Sequence, residues 1–413
     1  MIRKHGIYII FSFIFSLQLF AQKQSLDFYL NAGLAGSPLL KDYKNQVLSN
    51  AQDSLLVKAK IEPQVTATSQ VLIAPFTKNF GYDEAITNGQ NYIAVAGVTQ
   101  TMFNRRHTSN SFENINIQNR TISNEVKLTE QELKKIITEK YITAYIASSE
   151  IAFDKEIMGL LREEDELLKL LAEKGIYKQS EYLSFLIEMQ TQETSILKQE
   201  IEYKQDLYEL NVICGIADTV THALSDPNII QSSATGVENS PVFQQFKVDS
   251  LMNMNEQQAV KLNYGPAVSW FADAGVMSTD ISQTYKHVGF SFGLNVTMPI
   301  YDGKQRDKEI SKLKIKDESR VSYQGFFKNQ YSAKQLQIDQ KIKSYYKLEI
   351  SLNKQLESIN VLIGMNKIQL NNGELSISDH VLTIKNFIET KHQLSAIQLE
   401  KLQMINEWNY ISF

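Results

Sequence analysis

Large apolar residues alternate strictly with small or polar ones along Gly289-Phe290-Ser291-Phe292-Gly293-Leu294-Asn295-Val296-Thr297-Met298. A period of two belongs to a strand, whose successive side chains point to opposite faces. Phe290, Phe292, Leu294 and Val296 then make an oily face, with Asn295 and Thr297 on a wet one. The same alternation runs from Ile61 to about Ile73, with Val65, Ala67, Val71 and Ile73 on one side and Gln64, Thr66, Thr68 and Gln70 on the other. A third segment sets Val268, Trp270, Ala272, Ala274 and Val276 against Ser269 and Asp273, and a fourth carries Tyr92, Ala94, Ala96 and Val98. Phe271, Met277, Ile93 and Val95 interrupt the pattern. Four strands in two hairpins are predicted, over about 61–103 and 265–301.

Elsewhere the period changes to three or four. Ile338, Ile342, Tyr345, Leu348, Leu352, Leu356, Ile359 and Ile363 form one apolar stripe amid charged residues, the mark of a helix. Leu133, Ile137, Tyr141, Ala144, Ile151, Ile157, Leu161, Leu168 and Leu171 form a less regular one. Both stripes are narrow and suit coiled-coil packing. No proline falls between Phe76 and Asp226 or after Pro299, so nothing breaks long helices there. Asn104 to Glu173 as one helix would extend about 105 Å. Gly175 and Gly373 stop the stripes, as glycines end helices. Returning helices follow to about Asn211 and Glu407, with Ser180 and Ser378 as their expected caps.

The pattern occurs twice. Ser37-Pro38, Lys58 and Pro63 recur at one offset as Ser240-Pro241, Lys261 and Pro266. Val98-Thr99, Phe103-Asn104, Gly175 and Ser180-Glu181 recur at a second offset as Val296-Thr297, Tyr301-Asp302, Gly373 and Ser378-Asp379. Such self-similarity fixes architecture before local detail does. The domain reading is a first repeat over 22–220, a linker over 221–239 and a second repeat over 240–413. Each repeat runs short helix, β-hairpin, helical hairpin, the last spanning about 104–211 and about 304–410. Each Ser-Pro pair reads as an N-cap with proline at the first helical position.

The N-terminus changes the setting. Met1-Ile2-Arg3-Lys4-His5, an apolar run Ile7 to Phe20 and then Ala21 read as a secretory signal peptide over 1–21. Beyond it no stretch is long and apolar enough for a membrane helix. The strands, however, are about 10 to 13 residues long, enough to cross a bilayer at a tilt. A membrane β-barrel is therefore expected, with the loops Phe76–Gln90 and Thr279–Tyr285 on one side and all helices on the other. Val65, Val71, Trp270, Phe290, Phe292, Leu294 and Val296 would face lipid. Gln64, Thr66, Thr68, Gln70, Asn295 and Thr297 would line the lumen.

Candidate chemistry is sparse. Net charge is −4 with signs mixed throughout, which gives no footprint for nucleic acid. Cys214 is the single cysteine, so no intrachain disulfide can form. Of His5, His107, His222, His287, His380 and His392, no two share metal-ligand spacing; His380 and His392 read as solvated surface positions. No phosphate-binding glycine loop or nucleophile motif is present, so neither an enzyme nor a cofactor is expected. Arg105, Arg106, Lys304 and Arg306 mark a basic junction just past each hairpin, read as solvated. One alternative from another class is a periplasmic coiled-coil scaffold whose hairpins only bind partners.

The duplicated strand–helix layout, the strand exit Met298-Pro299-Ile300-Tyr301-Asp302-Gly303-Lys304-Gln305-Arg306 and the tip Gly373 through Asp379-His380-Val381-Leu382 together resemble the TolC family of outer-membrane efflux proteins. The resemblance covers roughly Ser25 to the end. It implies an internally duplicated α+β membrane protein, with four transmembrane strands per chain. It also implies a homotrimer closing a twelve-stranded barrel in the outer membrane, with the long helices forming an α-barrel in the periplasm. Function would be that of an exit duct for tripartite efflux or type I secretion, with a periplasmic adaptor and an inner-membrane pump as partners. By position, the entrance and adaptor contacts would be Gly175, Ser180, Glu181, Gly373, Ser378 and Asp379. Asp379 matches an aspartate ring that narrows the entrance in family members, whereas Leu382 stands where a further acid is expected.

Overall fold

The alternating segments form one antiparallel sheet, and the striped segments form two helical hairpins. The computed structural model describes residues 23–75, 77, 80, 81, 88–102 and 105–412. The signal segment, much of the loop Phe76–Gln90 and the exit Phe103-Asn104 lie outside the described residues. In chain order the elements are α1 (Leu26–Gly36), α2 (Pro38–Ala59), β1 (Gln64–Ile73), β2 (Gln90–Met102), α3 (Arg105–Glu173), α4 (Gln179–Cys214), α5 (Pro241–Asn263), β3 (Ala267–Ser278), β4 (Val288–Thr297), α6 (Gln305–Asn371) and α7 (Ile377–Ile411). No helix among the described residues is long and apolar enough to cross a membrane.

Two compact units divide the chain. One comprises Asp42–Val126 and Val242–Phe327. It holds the sheet, in the order β1-β2-β3-β4, with parts of α2, α3, α5 and α6. These helices follow the order of the strands, and polar side chains join them. Asn50 Nδ2 donates to Asn119 Oδ1 at 2.8 Å between α2 and α3, and Asn124 Nδ2 to Gln245 Oε1 at 3.0 Å between α3 and α5. Asn253 Nδ2 donates to the Leu313 carbonyl at 2.9 Å between α5 and α6. Asn124 and Asn253 are buried, where an amide must be paired or cost stability.

The other unit comprises the chain up to Lys41, Lys127–Pro241 and Lys328–Phe413. Here the apolar stripes bury each other. Ile137, Tyr141, Ala144, Leu207 and Leu210 pack around Tyr29, while Ile338 and Ile342 meet Ile405 and Trp408. Leu348, expected in the stripe, is exposed; its neighbour Glu349 instead accepts a 2.5 Å bond from Lys401 Nζ.

Two differences from the sequence reading concern the ends of the repeats. Helix α1 is additional, started by the Ser25 Oγ acceptor for Phe28 N–H at 3.3 Å. Segment 221–239 is no free linker but a strap fastened by its backbone. Tyr203 donates to the His222 carbonyl at 2.7 Å, and Trp408 Nε1 to that of Ser232 at 2.8 Å. Asn409 brackets it, accepting from Ser232 N–H at 2.8 Å and donating to the Ile230 carbonyl at 2.9 Å. Gln24 adds a parallel bridge to Leu224, and the buried Tyr141 hydroxyl lies 2.7 Å from the Ser225 carbonyl and 2.9 Å from that of Gln24.

Tyr141→Phe removes this shared donor and leaves the ring in place. Loss of one net hydrogen bond costs about 1 kcal/mol, and a lowered urea midpoint with unchanged slope is the expected readout.

Candidate functional site: sheet faces and hairpin tips

The strand register assigns every side chain to a face. Residues directly opposite in an antiparallel pair share a face. Val65 opposes Val98, which opposes Ala272, which opposes Phe292. Val71 opposes Tyr92, Trp270 opposes Leu294, Val268 opposes Val296, and Ala274 opposes Phe290. The seven residues expected toward lipid therefore share one face, and it is uncovered: Phe290 and Phe292 are each 81% exposed. Near its helical end this face carries a polar contact, where Trp270 Nε1 donates to Gln100 Oε1 at 3.1 Å. Indole rings with a satisfied N–H are typical of membrane interfaces.

Gln64, Thr66, Thr68, Gln70, Asn295 and Thr297 lie together on the opposite face. The residues that broke the alternation lie there too, and glycines accommodate two of them. Phe271 covers Gly293, where an added Cβ would come within 2.8 Å of the ring. Val95 opposes Gly275, where an added Cβ would meet the Ala94 carbonyl at 2.2 Å and the Val95 Cα at 2.6 Å. Large side chains on this face are thus set beside empty positions.

Gly175 and Gly373 turn the chain at the ends of α3 and α6. Both have positive φ, 74° and 75°, and both close the same Schellman pattern. Gly175 N–H donates to the Ala172 carbonyl and Ile176 N–H to that of Leu171, each at 3.0 Å. Gly373 N–H donates to Leu370 at 3.1 Å and Glu374 N–H to Gln369 at 2.9 Å. The two tips lie against each other: Tyr177 donates its hydroxyl proton to the Leu370 carbonyl, and Glu181 Oε2 accepts from Ile377 N–H at 3.3 Å. Beneath them Phe185 and Ile377 are fully buried with Leu168, Tyr182 and Leu370.

The expected caps require correction. Helix α4 begins at Gln179 after Lys178, without a side-chain cap, and Ser180 lies inside its first turn. Helix α7 is capped by Ser376, not Ser378. Ser376 Oγ accepts from Asp379 N–H at 3.1 Å and donates to Asp379 Oδ2 at 2.7 Å, a reciprocal capping arrangement. The Asp379 carboxylate is therefore engaged at the start of its own helix.

His380 is not a solvated surface position, and His392 is only partly exposed and held by a carboxylate. His380 is fully buried, with Nε2 2.9 Å from Glu164 Oε2, and Lys367 Nζ lies 3.5 Å from the same carboxylate. Burial pushes the Glu164 carboxyl up, but the His380 hydrogen bond and the charges of His380 and Lys367 outweigh it and hold it below the usual range. His392 Nε2 lies 2.9 Å from Asp154 Oδ1, and Gln199 Nε2 donates to Asp154 Oδ2 at 2.8 Å. Lys385 pairs with Glu188 at 2.7 Å. Helix α7 is thus joined to α3 and α4 by three side-chain contacts to carboxylates, two from histidines and one from a lysine, which no local pattern in the sequence announced.

No family model and no curated protein sequence matches the chain. Solved structures do resemble it. CusC, whose crystal structures address folding and transmembrane channel formation, is 11% identical, covering 95% of this chain and 93% of its own at a TM-score of 0.76. The outer membrane protein VceC of Vibrio cholerae is 9% identical over 94% of this chain and 96% of its own, with a TM-score of 0.73. The CmeC outer membrane channel of Campylobacter jejuni is 11% identical over 94% and 85%, with a TM-score of 0.70. These likenesses fix the fold, which is the one the TolC-family resemblance implied.

Two expectations follow. Alanine at Gly175 or Gly373 forces a Cβ into left-handed backbone at about 1–2 kcal/mol, measurable as a lowered urea midpoint. The Asp154 hydrogen bond, against the opposing effect of burial, raises the His392 pKa above its usual 6.5. A raised folded-state pKa stabilises fully below the unfolded value and is lost as pH rises through the folded one. The thermal-stability deficit of His392→Gln should therefore be largest at pH 5.5 and shrink by pH 8.5.

Proposed function

We propose that three copies of this chain form a passive exit duct through the outer membrane, serving tripartite efflux or type I secretion. One observation carries the reading: a sheet with an uncovered apolar face whose outer strands, β1 and β4, have no further partner among the described residues. Lipid tolerates no open sheet edge, because unpaired backbone groups find no water there. Four strands are too few to close on themselves, since the smallest single-chain barrels have about eight. Pairing β4 of one copy with β1 of the next closes twelve strands from three chains.

The helices of the same unit support the arrangement. Helix α2 at one end of the row exposes Leu48, Leu55 and Leu56, and α6 at the other exposes Ile315 and Phe326. Each row of apolar side chains is covered when a second copy sits beside it. The wet face of the strands, carrying Gln64, Thr66, Thr68, Gln70, Asn295 and Thr297, lines the lumen. The paired tips around Gly175, Glu181, Gly373 and Asp379 form the periplasmic entrance and meet an adaptor. An inner-membrane pump supplies the energy. No bond is made or broken in the duct.

Detergent-extracted protein should have the mass of three chains by light scattering and conduct ions in planar bilayers. A monomer without conductance, or recovery from the soluble periplasmic fraction, overturns the proposal. Phe292→Arg places a charge in lipid at a cost of about 2–4 kcal/mol per chain near the bilayer centre. Outer-membrane fractionation should show that this variant fails to accumulate there.

A further inference from the structure

Asp273 is the single charged residue in the four strands, none of which contains Lys, Arg, His or Glu. It lies near the middle of β3, on the face opposite Ala272 and Ala274, whose partners are Val98, Phe292, Ala96 and Phe290. Its own partners are Gly97 on β2 and Ser291 on β4. Ionisable residues at membrane depth face a protein interior or a water-filled path, and they mark routes of ions and substrates.

The surroundings of this carboxylate leave it open. Gly97 presents no side chain across from it, and Gly275 presents none two residues along β3. Ser291 Oγ donates to Asp273 Oδ2 at 2.8 Å, which orients the group while leaving its negative charge uncompensated. No cation pairs with it among the described residues, where most ion pairs join one helix to another.

We infer that Asp273 sets the charge selectivity of the barrel, favouring cations and cationic solutes over anions. This inference rests on the duct reading, in which threefold symmetry places three such carboxylates at one height around the lumen. Like charges lining a low-dielectric passage raise the local concentration of counter-ions. The field reaches about 8 Å at physiological ionic strength and about 3 Å at 1 M salt. Selectivity from this source therefore fades as salt rises.

The test is the reversal potential of the full-length protein in planar bilayers under a tenfold KCl gradient. Wild type should pass potassium in preference to chloride, more strongly at 0.1 M than at 1 M. Asp273→Asn should lower the permeability ratio at least twofold, Asp273→Lys should bring it below one, and Asp273→Glu should preserve it. Ser291→Ala removes the orienting hydrogen bond but not the charge, and should leave the ratio within the wild-type range. Asp379→Asn reports the contribution of the tip. A conducting wild type whose ratio is unchanged in Asp273→Asn, or moves only in Asp379→Asn, overturns this inference and leaves the duct standing. Equal shifts in Ser291→Ala and Asp273→Asn would also overturn it, by reducing Asp273 to a pin between strands. A wild type that does not conduct overturns the duct reading and this inference together.

Discussion

The backbone's need for hydrogen-bond partners governs this structure. A sheet in water can leave its edges to the solvent, but a sheet in hydrocarbon cannot. The four strands leave one apolar face uncovered, and β1 and β4 have no further partner among the described residues. In the proposed membrane setting those two facts conflict for a single chain and agree for a ring of chains. The row of helices has the same character, with its ends exposing leucine and isoleucine where a neighbour would sit. Duplication within the chain is the economical way to supply such a ring, since one repeat provides two strands and one helical hairpin.

The two units solve packing by different means. Around the sheet-proximal helices amides cross between neighbours, Asn50, Asn119, Asn124 and Asn253 among them, beside the Lys316–Glu256 pair and the Phe246–Phe327 ring contact. In the hairpin unit apolar clusters predominate, and charged or ionisable pairs cross both at the sides and in the buried interior. An amide or ionic contact is specific in register because a shifted partner leaves a buried polar group unpaired. Apolar stripes alone tolerate sliding by a turn. Polar crossings therefore give helices α3 and α6, both longer than 60 residues, a defined register that their narrow apolar stripes lack.

Much of the fold was legible because it is periodic. Strand faces followed from alternation, and the register places all seven oily and all six wet residues as the alternation implied. The tips were legible from single glycines, since positive φ has a strong residue preference. What escaped was non-local or short. His380 and His392 read as surface residues because Glu164 and Asp154 lie 216 and 238 positions away. The cap of α7 was displaced by two residues because Ser376 and Ser378 both precede acids at plausible spacing, and only the geometry at Asp379 separates them. The strap over 221–239 carries no pattern, being held mostly through its carbonyls, which every sequence possesses.

The Schellman closure of the tips has an evolutionary consequence. Each turn is shaped by one glycine and two main-chain hydrogen bonds, none of which depends on the identity of the neighbouring side chains. The two tips accordingly share a backbone while reading Ile176-Tyr177-Lys178-Gln179 in one and Glu374-Leu375-Ser376-Ile377 in the other. Tyr177, Ser376 and Ile377 are tied to the scaffold by a hydrogen bond, a helix cap and burial, whereas drift at the exposed Ile176, Lys178, Gln179 and Glu374 is uncoupled from it. At those exposed positions a lineage can change the surface of the tips one residue at a time, without passing through a misfolded intermediate.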